Sequence, residues 1–250
     1  MAALLIFKKE WKSLFTSPMI YVVMAIFFLL MGYLFFGLLS QYEQLSLQYQ
    51  AYGMEQVTLG EAVIRPLYGN LCVLWLLLIP LVTMRLISEE RKMQTFVLLM
   101  TAPVRLSQIV VGKFLAGFAF VALLLAVSLI YPLVCVVMGN AAWQPVVSAN
   151  IGLLLMGGTF VALGLLASSV TQSQILAAVL GFGFILFFWV VDFLSDISDR
   201  LSFLSQLSLL THLDPFLKGV MDTYHLSFYA LFLVFILFLT HQFLQGERWR

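Results

Sequence analysis

Six apolar stretches, each long enough to cross a bilayer, constrain this chain more than any other feature: residues 19–40, 67–86, 108–138, 147–168, 175–194 and 226–244. A helix rises 1.5 Å per residue, so about 20 apolar residues cover the ~30 Å hydrocarbon layer. Inside hydrocarbon every backbone donor and acceptor must be satisfied within the segment, which leaves the helix as the form such stretches adopt. The expected fold class is all-α: a polytopic membrane protein with six transmembrane helices, forming one domain over residues 1–250. With 62% hydrophobic and 10% charged residues, the chain lacks the polar surface of a soluble domain, in which charged residues are about 25%.

Lys8, Lys9 and Lys12 precede the first apolar stretch, as in a signal peptide. The stretch is longer than a signal core and no small-residue cleavage site follows, so it is expected to remain as the first span. Residues 1–17 read as an interfacial helix. Leu4, Phe7, Trp11, Leu14 and Phe15 share one face and Lys8, Lys9 and Lys12 fall largely on the other. A basic anchor and an elbow that touches a partner both fit this pattern. The third stretch contains Tyr131-Pro132, where a kink or helix end is expected.

Orientation follows from the basic residues beside the spans. With the N-terminus inside, 10 of the 13 Lys and Arg residues fall on the inner side, and only Arg65, Arg200 and Lys218 fall outside. Both termini are therefore expected in the cytoplasm, and the protein in a cytoplasmic or inner membrane. A net charge of +1 offers no field for nucleic acid.

Chemistry of the chain's own is hard to find. No ionisable residue sits in mid-span, which disfavours a carrier built on carboxylate relays. Cys72 and Cys135 lie in apolar runs and form neither a disulfide framework nor a metal spacing. Asp192, Asp196 and Asp199 share a helical spacing but lack the accompanying residues of a metal site, and read as solvated helix-end acids. Gly112-Lys113 lacks the first glycine of a nucleotide loop. No catalytic residue, metal site or cofactor site is assigned, and any ATP and Mg²⁺ belong to another chain. In the fourth span Gly157, Gly158, Ala162, Gly164 and Ser168 form a small-residue stripe, which suits either packing within the chain or a seam between two copies.

Between the second and third spans, residues 87–103 read as a cytoplasmic segment capable of coupling. Ser88 is expected to cap a helix running to Met100, with Glu89 and Glu90 in its first turn and Pro103 as its stop. On pattern alone, a surface helix hiding its apolar face in the headgroups fits equally. Residues 41–66 read as a polar loop. Residues 195–225 read as an outer segment of short amphipathic helices, in which Leu201, Phe203, Leu204, Leu207, Leu210, Leu213, Phe216 and Leu217 recur.

The order Pro80, Thr83-Met84-Arg85, Ser88-Glu89-Glu90-Arg91 and Thr95, followed by Leu98-Leu99, Pro103 and Gly112-Lys113, resembles the ABC-2 type permeases. The similarity is to the small ones of gliding motility and nitrous-oxide-reductase maturation. The outer stretch His212-Leu213-Asp214-Pro215-Phe216-Leu217-Lys218-Gly219-Val220-Met221-Asp222 resembles theirs too. The resemblance implies a type V exporter-like transmembrane domain, a dimer with an identical or homologous permease, and two docked copies of an ABC ATPase subunit. It implies a coupling contact at Ser88, Glu89, Glu90, Arg91, Thr95 and Phe96, beside the interfacial residues Phe7, Lys8, Lys9, Trp11 and Lys12. His212, Asp214, Pro215, Phe216, Gly219 and Asp222 become candidates for an extracytoplasmic protein contact. Where many relatives carry Glu two places after the threonine, this chain has Val97. The expected function is a non-enzymatic permease subunit that couples a partner's ATP hydrolysis to export. The alternative is an ATPase-coupled scaffold or mechanical transmitter acting on an outer protein.

Overall fold

The computed structural model describes residues 2–52, 57–96, 104–139, 141–195 and 206–248, and among them all regular structure is helical. In chain order the helices are α1 (Ala2–Thr16), α2 (Pro18–Tyr52), α3 (Arg65–Thr83) after a π-turn at Gly60–Ile64, α4 (Arg85–Lys92), α5 (Leu106–Ser128), α6 (Ile130–Gly139), α7 (Trp143–Val170), α8 (Gln174–Ser195), α9 (Leu209–Leu217) and α10 (Thr223–Arg248). Six helical stretches are long and apolar enough to cross a membrane: Pro18–Tyr52, Gly60–Lys92, Leu106–Gly139, Trp143–Val170, Gln174–Val191 and Thr223–Gly246. These are the six expected spans. The chain alternates through them, so α1, α4 and the end of α10 share one end of the bundle, the basic end, and α6, α9 and the start of α7 share the far end.

Two expectations about loops are corrected. Residues 41–52 continue α2 as helix, because Gln, Glu, Tyr, Leu and Ser are all compatible with helix and no Gly or Pro intervenes before Gly53. Their polarity marks the exit from hydrocarbon, not the end of the helix. At the other correction, the second span breaks at Met84 and α4 starts at Arg85. Pro80 lacks the N–H that would bond Leu76, and the Thr83 hydroxyl donates to the Ile79 carbonyl at 3.0 Å, an arrangement that bends helices. Ser88 is thus interior to α4, its hydroxyl donating to the Met84 carbonyl, and it is no N-cap. The break expected near Tyr131-Pro132 is present: α5 ends at Ser128 and α6 begins at Ile130.

Helix α7 is the hub, touching α3, α4, α5, α8, α9 and α10. Its small-residue stripe is what allows this. A Cβ on Gly164 would lie 2.1 Å from Thr83 Oγ1 and 2.7 Å from Thr83 Cβ, so the two backbones approach as only glycine permits. Gly157 faces Val121 and Trp75, and Gly158 faces Leu233 and Phe118. The stripe therefore serves packing within the chain. By contrast α2, α8 and α10 bury little of themselves and turn Ile26, Leu29, Phe187 and Phe235 outward.

Gly164→Ala is expected to lower stability by about 1–3 kcal/mol through overpacking, read as a shift in thermal midpoint in detergent. Gly183→Ala, where a Cβ meets nothing within 4 Å, should leave the midpoint unchanged.

Candidate functional site

The basic end is organised around one buried cation. Lys113 lies on the third helical turn of α5 with 0% exposure, and an ammonium there needs all three of its donors used. Its Nζ lies 2.9 Å from Glu10 Oε1 on α1 and 2.8 Å from Glu90 Oε2 on α4, and it also donates to the Leu86 carbonyl of α4. Lys9 closes the group from the solvent side, 2.9 Å from Glu90 Oε1 and 3.7 Å from Glu10. Burial works against the Lys9 ammonium, but Glu90 and Glu10 outweigh it and hold its pKa above the usual lysine value.

The local sequence explains how three helices meet there. On α1, Ile6, Glu10 and Leu14 recur every four residues and form its buried face. A Cβ on Gly112 would lie 2.8 Å from the Ala3 carbonyl oxygen and 2.9 Å from Ile6 Cβ, so glycine lets α1 rest on α5 one residue before Lys113. Helix α1 is therefore held against α5. Its Phe7, Trp11 and Phe15 rings run along the edge with centroids 6.0 and 4.8 Å apart, while Leu4, Lys8 and Lys12 are exposed.

Helix α4 is pinned along its length. Arg85 donates to the Ser17 hydroxyl at the α1–α2 corner. The break at Met84 costs Ile87 its normal helical acceptor, and Ser168 Oγ on α7 accepts the N–H groups of Ile87 and Ser88, at 3.1 and 3.0 Å, while donating to the Met84 carbonyl at 2.9 Å. The helix ends in a Schellman turn: Thr95 N donates to the Glu90 carbonyl at 2.9 Å and Gln94 N to that of Arg91 at 3.0 Å. Gln94 carries φ +56°, a left-handed conformation that strains a non-glycine residue. The helix expected to reach Met100 thus stops at Lys92, and residues 97–103 lie outside the described residues.

Of the expected coupling residues, Glu90 is turned inward into the ion cluster, Ser88 is buried against α7, and Phe96 is buried with the Arg91 guanidinium 5.3 Å above its ring. Glu89 and Thr95 are exposed, as are Lys92, Met93 and Gln94 between them. Sequence reasoning missed Glu10, Lys113 and Ser168. A signal was present for the first two, since Glu10 falls on the Ile6–Leu14 face and Lys113 interrupts an apolar run.

At the far end, His212 and Phe216 are buried in an aromatic cluster. His212 Nδ1 donates to the Ser208 carbonyl at 2.9 Å, and its ring stacks on Phe228 at 3.7 Å. Asp214 joins Arg65 of α3 to Lys218. Pro215 lies within α9, Gly219 ends that helix with φ +88°, and Asp222 accepts from Tyr224 N at 3.1 Å in the first turn of α10. These residues build the fold of the far end. Asp196, Asp199, Leu201, Phe203 and Leu204 lie outside the described residues, as does the side chain of Asp192. Among the described residues no group of three or more His, Cys, Asp or Glu residues is arranged to hold a metal.

The family described as ABC-2 family transporter protein matches the chain over residues 4–240. The chain belongs to that family. No curated relative matches it. The match runs from α1 into α10. This ABC-2 protein is a multi-pass membrane protein and the membrane component of an ABC transporter. Members of the family in general work with an ABC ATPase and are not themselves enzymes.

Removing the buried cation strands two carboxylates. Lys113→Met in this ABC-2 protein is expected to cost about 3 kcal/mol, the low end for breaking a buried pair because Lys9 remains. Lys9→Ala, at an exposed site, should cost under about 1 kcal/mol; both are read by thermal unfolding in detergent. At the far end, partial burial works to raise the Asp214 pKa, but its hydrogen bonds to Lys218 and Arg65 hold it below the usual carboxylate value. A depressed folded-state pKa means the tether contributes fully above the ordinary aspartate range and is lost as pH falls through the depressed value. Unfolding midpoints measured down a pH series should show this loss in the native chain and lack it in Asp214→Asn.

Proposed function

We propose that the chain is the permease subunit of an exporter whose power stroke comes from a separate ABC ATPase docked on the exposed rim of α4. The basic end is then cytoplasmic, in line with the 10 basic residues on that side, and the protein sits in the inner membrane. ATP and Mg²⁺ bind to two copies of the ATPase subunit. A second permease copy, identical or homologous, packs on the outward face of α2, where Val22, Ile26, Leu29, Tyr33 and Phe36 recur at alternating spacings of four and three and are all exposed.

The observation that carries this reading is the two-sided character of α4. One side is bound by Glu90, Leu86 and Ser88 to α1, α5 and α7. The other presents Glu89, Lys92, Met93, Gln94 and Thr95 to the basic end with their side chains exposed. A load applied to that rim is distributed to three helices at once, two of which are spans. Lys8 and Lys12 on α1 extend the rim and give the ATPase a second place to press.

The test is association with the cognate ATPase. The pair Glu89→Lys and Met93→Asp reverses one charge and removes the largest exposed apolar group, and neither residue belongs to the buried cluster. Co-purification or surface-binding measurements are expected to show affinity reduced at least tenfold, about 1.4 kcal/mol, with an unchanged thermal midpoint. Wild-type affinity in the double variant would place the docking surface elsewhere.

A further inference from the structure

We propose that a polar cavity at the basic end, between α1 and α4, holds the headgroup of an aminophospholipid, its phosphate on Arg85 and its ammonium on Glu89. The cavity encloses about 200 Å³ and is lined by Glu10, Ser13, Thr16 and Ser17 on one side and by Arg85 and Glu89 on the other. The Glu10 charge is already matched, by Lys113 at 2.9 Å and Lys9 at 3.7 Å. Those of Arg85 and Glu89 are not. Half-buried Arg85 donates to the Ser17 hydroxyl, its Nε has no acceptor, and among the described residues no carboxylate lies within 4 Å of it. Glu89 is exposed and likewise has no ion-pair partner among the described residues. Four apart on α4, the two could pair with each other, yet they stay more than 4 Å apart. A ligand that carries both an anion and a cation satisfies each of them at once.

The place of the cavity says where such a ligand comes from. Ser17 directly precedes the first span and Arg85 directly follows the break in the second, so the cavity lies at the membrane boundary. The rings of Trp11, Phe15 and Tyr21 form an aromatic edge nearby, which suits the headgroup level. An apolar crevice shares Leu14, Ser17 and Arg85 with the cavity and continues between Ile20 and Val23 of the first span and Leu81 of the second. At about 10 Å³ it is too narrow for an acyl chain, so the tails stay in the bilayer and recognition falls on the headgroup. The cavity itself is smaller than the roughly 300–1,000 Å³ that drug-sized ligands fill, which suits a phosphoethanolamine group alone. The planar guanidinium matches a phosphate. The hydroxyls of Ser13 and Ser17, neither of which donates to another described residue, add two donors. The Glu89 carboxylate is left for the primary ammonium, whose N–H groups make a charge-assisted bond that a quaternary ammonium lacks.

Native mass spectrometry of the purified full chain, titrated separately with dioleoyl phosphatidylethanolamine, phosphatidylcholine and phosphatidylglycerol, tests this without any ATPase and so independently of where the ATPase docks. The ethanolamine lipid is expected to bind at one site, roughly threefold to tenfold more tightly than the other two, as one charge-assisted bond at a partly exposed site gives. Glu89→Ala should bring it to the level of the glycerol lipid while that lipid still binds. Arg85→Met should weaken all three, but Arg85 also ties α4 to the α1–α2 corner. Ser13→Trp, at an exposed lining position, fills the cavity without touching that tie and should abolish the site. Equal affinity for the three lipids in the native protein would overturn the proposal, as would an ethanolamine preference that survives Glu89→Ala or binding unaffected by Ser13→Trp. Displacement of the lipid by an equal concentration of inorganic phosphate would assign the cavity to a soluble anion and overturn it too.

Discussion

A lysine ammonium with no solvent contact is tolerable only where its charge is matched and its donors are engaged. Lys113 draws Glu10, Glu90 and the Leu86 carbonyl to itself from two other helices, hydrogen-bonding Glu10 and the carbonyl and pairing with Glu90 at 2.8 Å. The arrangement at the basic end follows from that demand. α1 cannot lift from α5 without stranding Glu10, and α4 cannot swing outward without stranding Glu90. Such a cluster is weak as a source of net stability, since desolvating the charges offsets much of their attraction. It is strong as a source of geometry, because a misplaced partner leaves a buried charge uncompensated. Lys9 tempers the penalty from the solvent side and keeps the two carboxylates from facing one cation alone.

A second constraint fixes where α4 can sit. The span break at Met84 leaves the Ile87 N–H, deep in the bundle, without its helical acceptor, and in an apolar setting it needs another. Ser168 accepts from it and from the Ser88 N–H, and returns its own proton to the Met84 carbonyl. The small-residue stripe on α7 makes this contact available, because Gly164, one turn earlier, lets α7 come within bonding range of the broken span. The stripe and the break are therefore parts of one device, with the hydroxyl at the end of the stripe capping the helix that the break creates.

What the sequence disclosed, and what it withheld, divides along the same lines. Span count and type were legible because hydrocarbon admits one solution for a 20-residue apolar run. The kink at Pro132 was legible because proline lacks a donor wherever it stands. The extent of α2 beyond the membrane was not, since polarity reports the surroundings of a helix and Gln41 to Tyr52 contain nothing that ends one. The start of α4 was misread because Ser88 followed by two glutamates looks like a cap, while the actual boundary is set by Pro80, Thr83 and a serine 80 residues away. Its end was misread because a Schellman turn is expected at glycine, and here Gln94 adopts the left-handed conformation. The ion cluster was hidden because its pairs join residues up to 103 apart, and pairing at that distance is a property of packing.

These constraints leave α4 with little freedom of its own. Arg85 ties its start to the α1–α2 corner, Ser168 ties its first turn to the hub helix, and Lys113 ties its last turn to α5. The exposed rim from Glu89 to Thr95 is thus rigidly backed, and a displacement applied to it either carries α1 and α5 along or breaks buried ion pairs. The second course costs several kcal/mol, more than most single surface contacts supply, so the first is favoured. The softer point is the break at Met84, where the helical ladder of the second span is interrupted and hydrogen bonds from Met84 N–H to the Pro80 carbonyl, from the Ser88 hydroxyl and with Ser168 hold the two parts together. Rotation there would move the α1–α4–α5 group against the hub while leaving every buried charge paired, a motion about a few element-terminal residues of the kind hinges make.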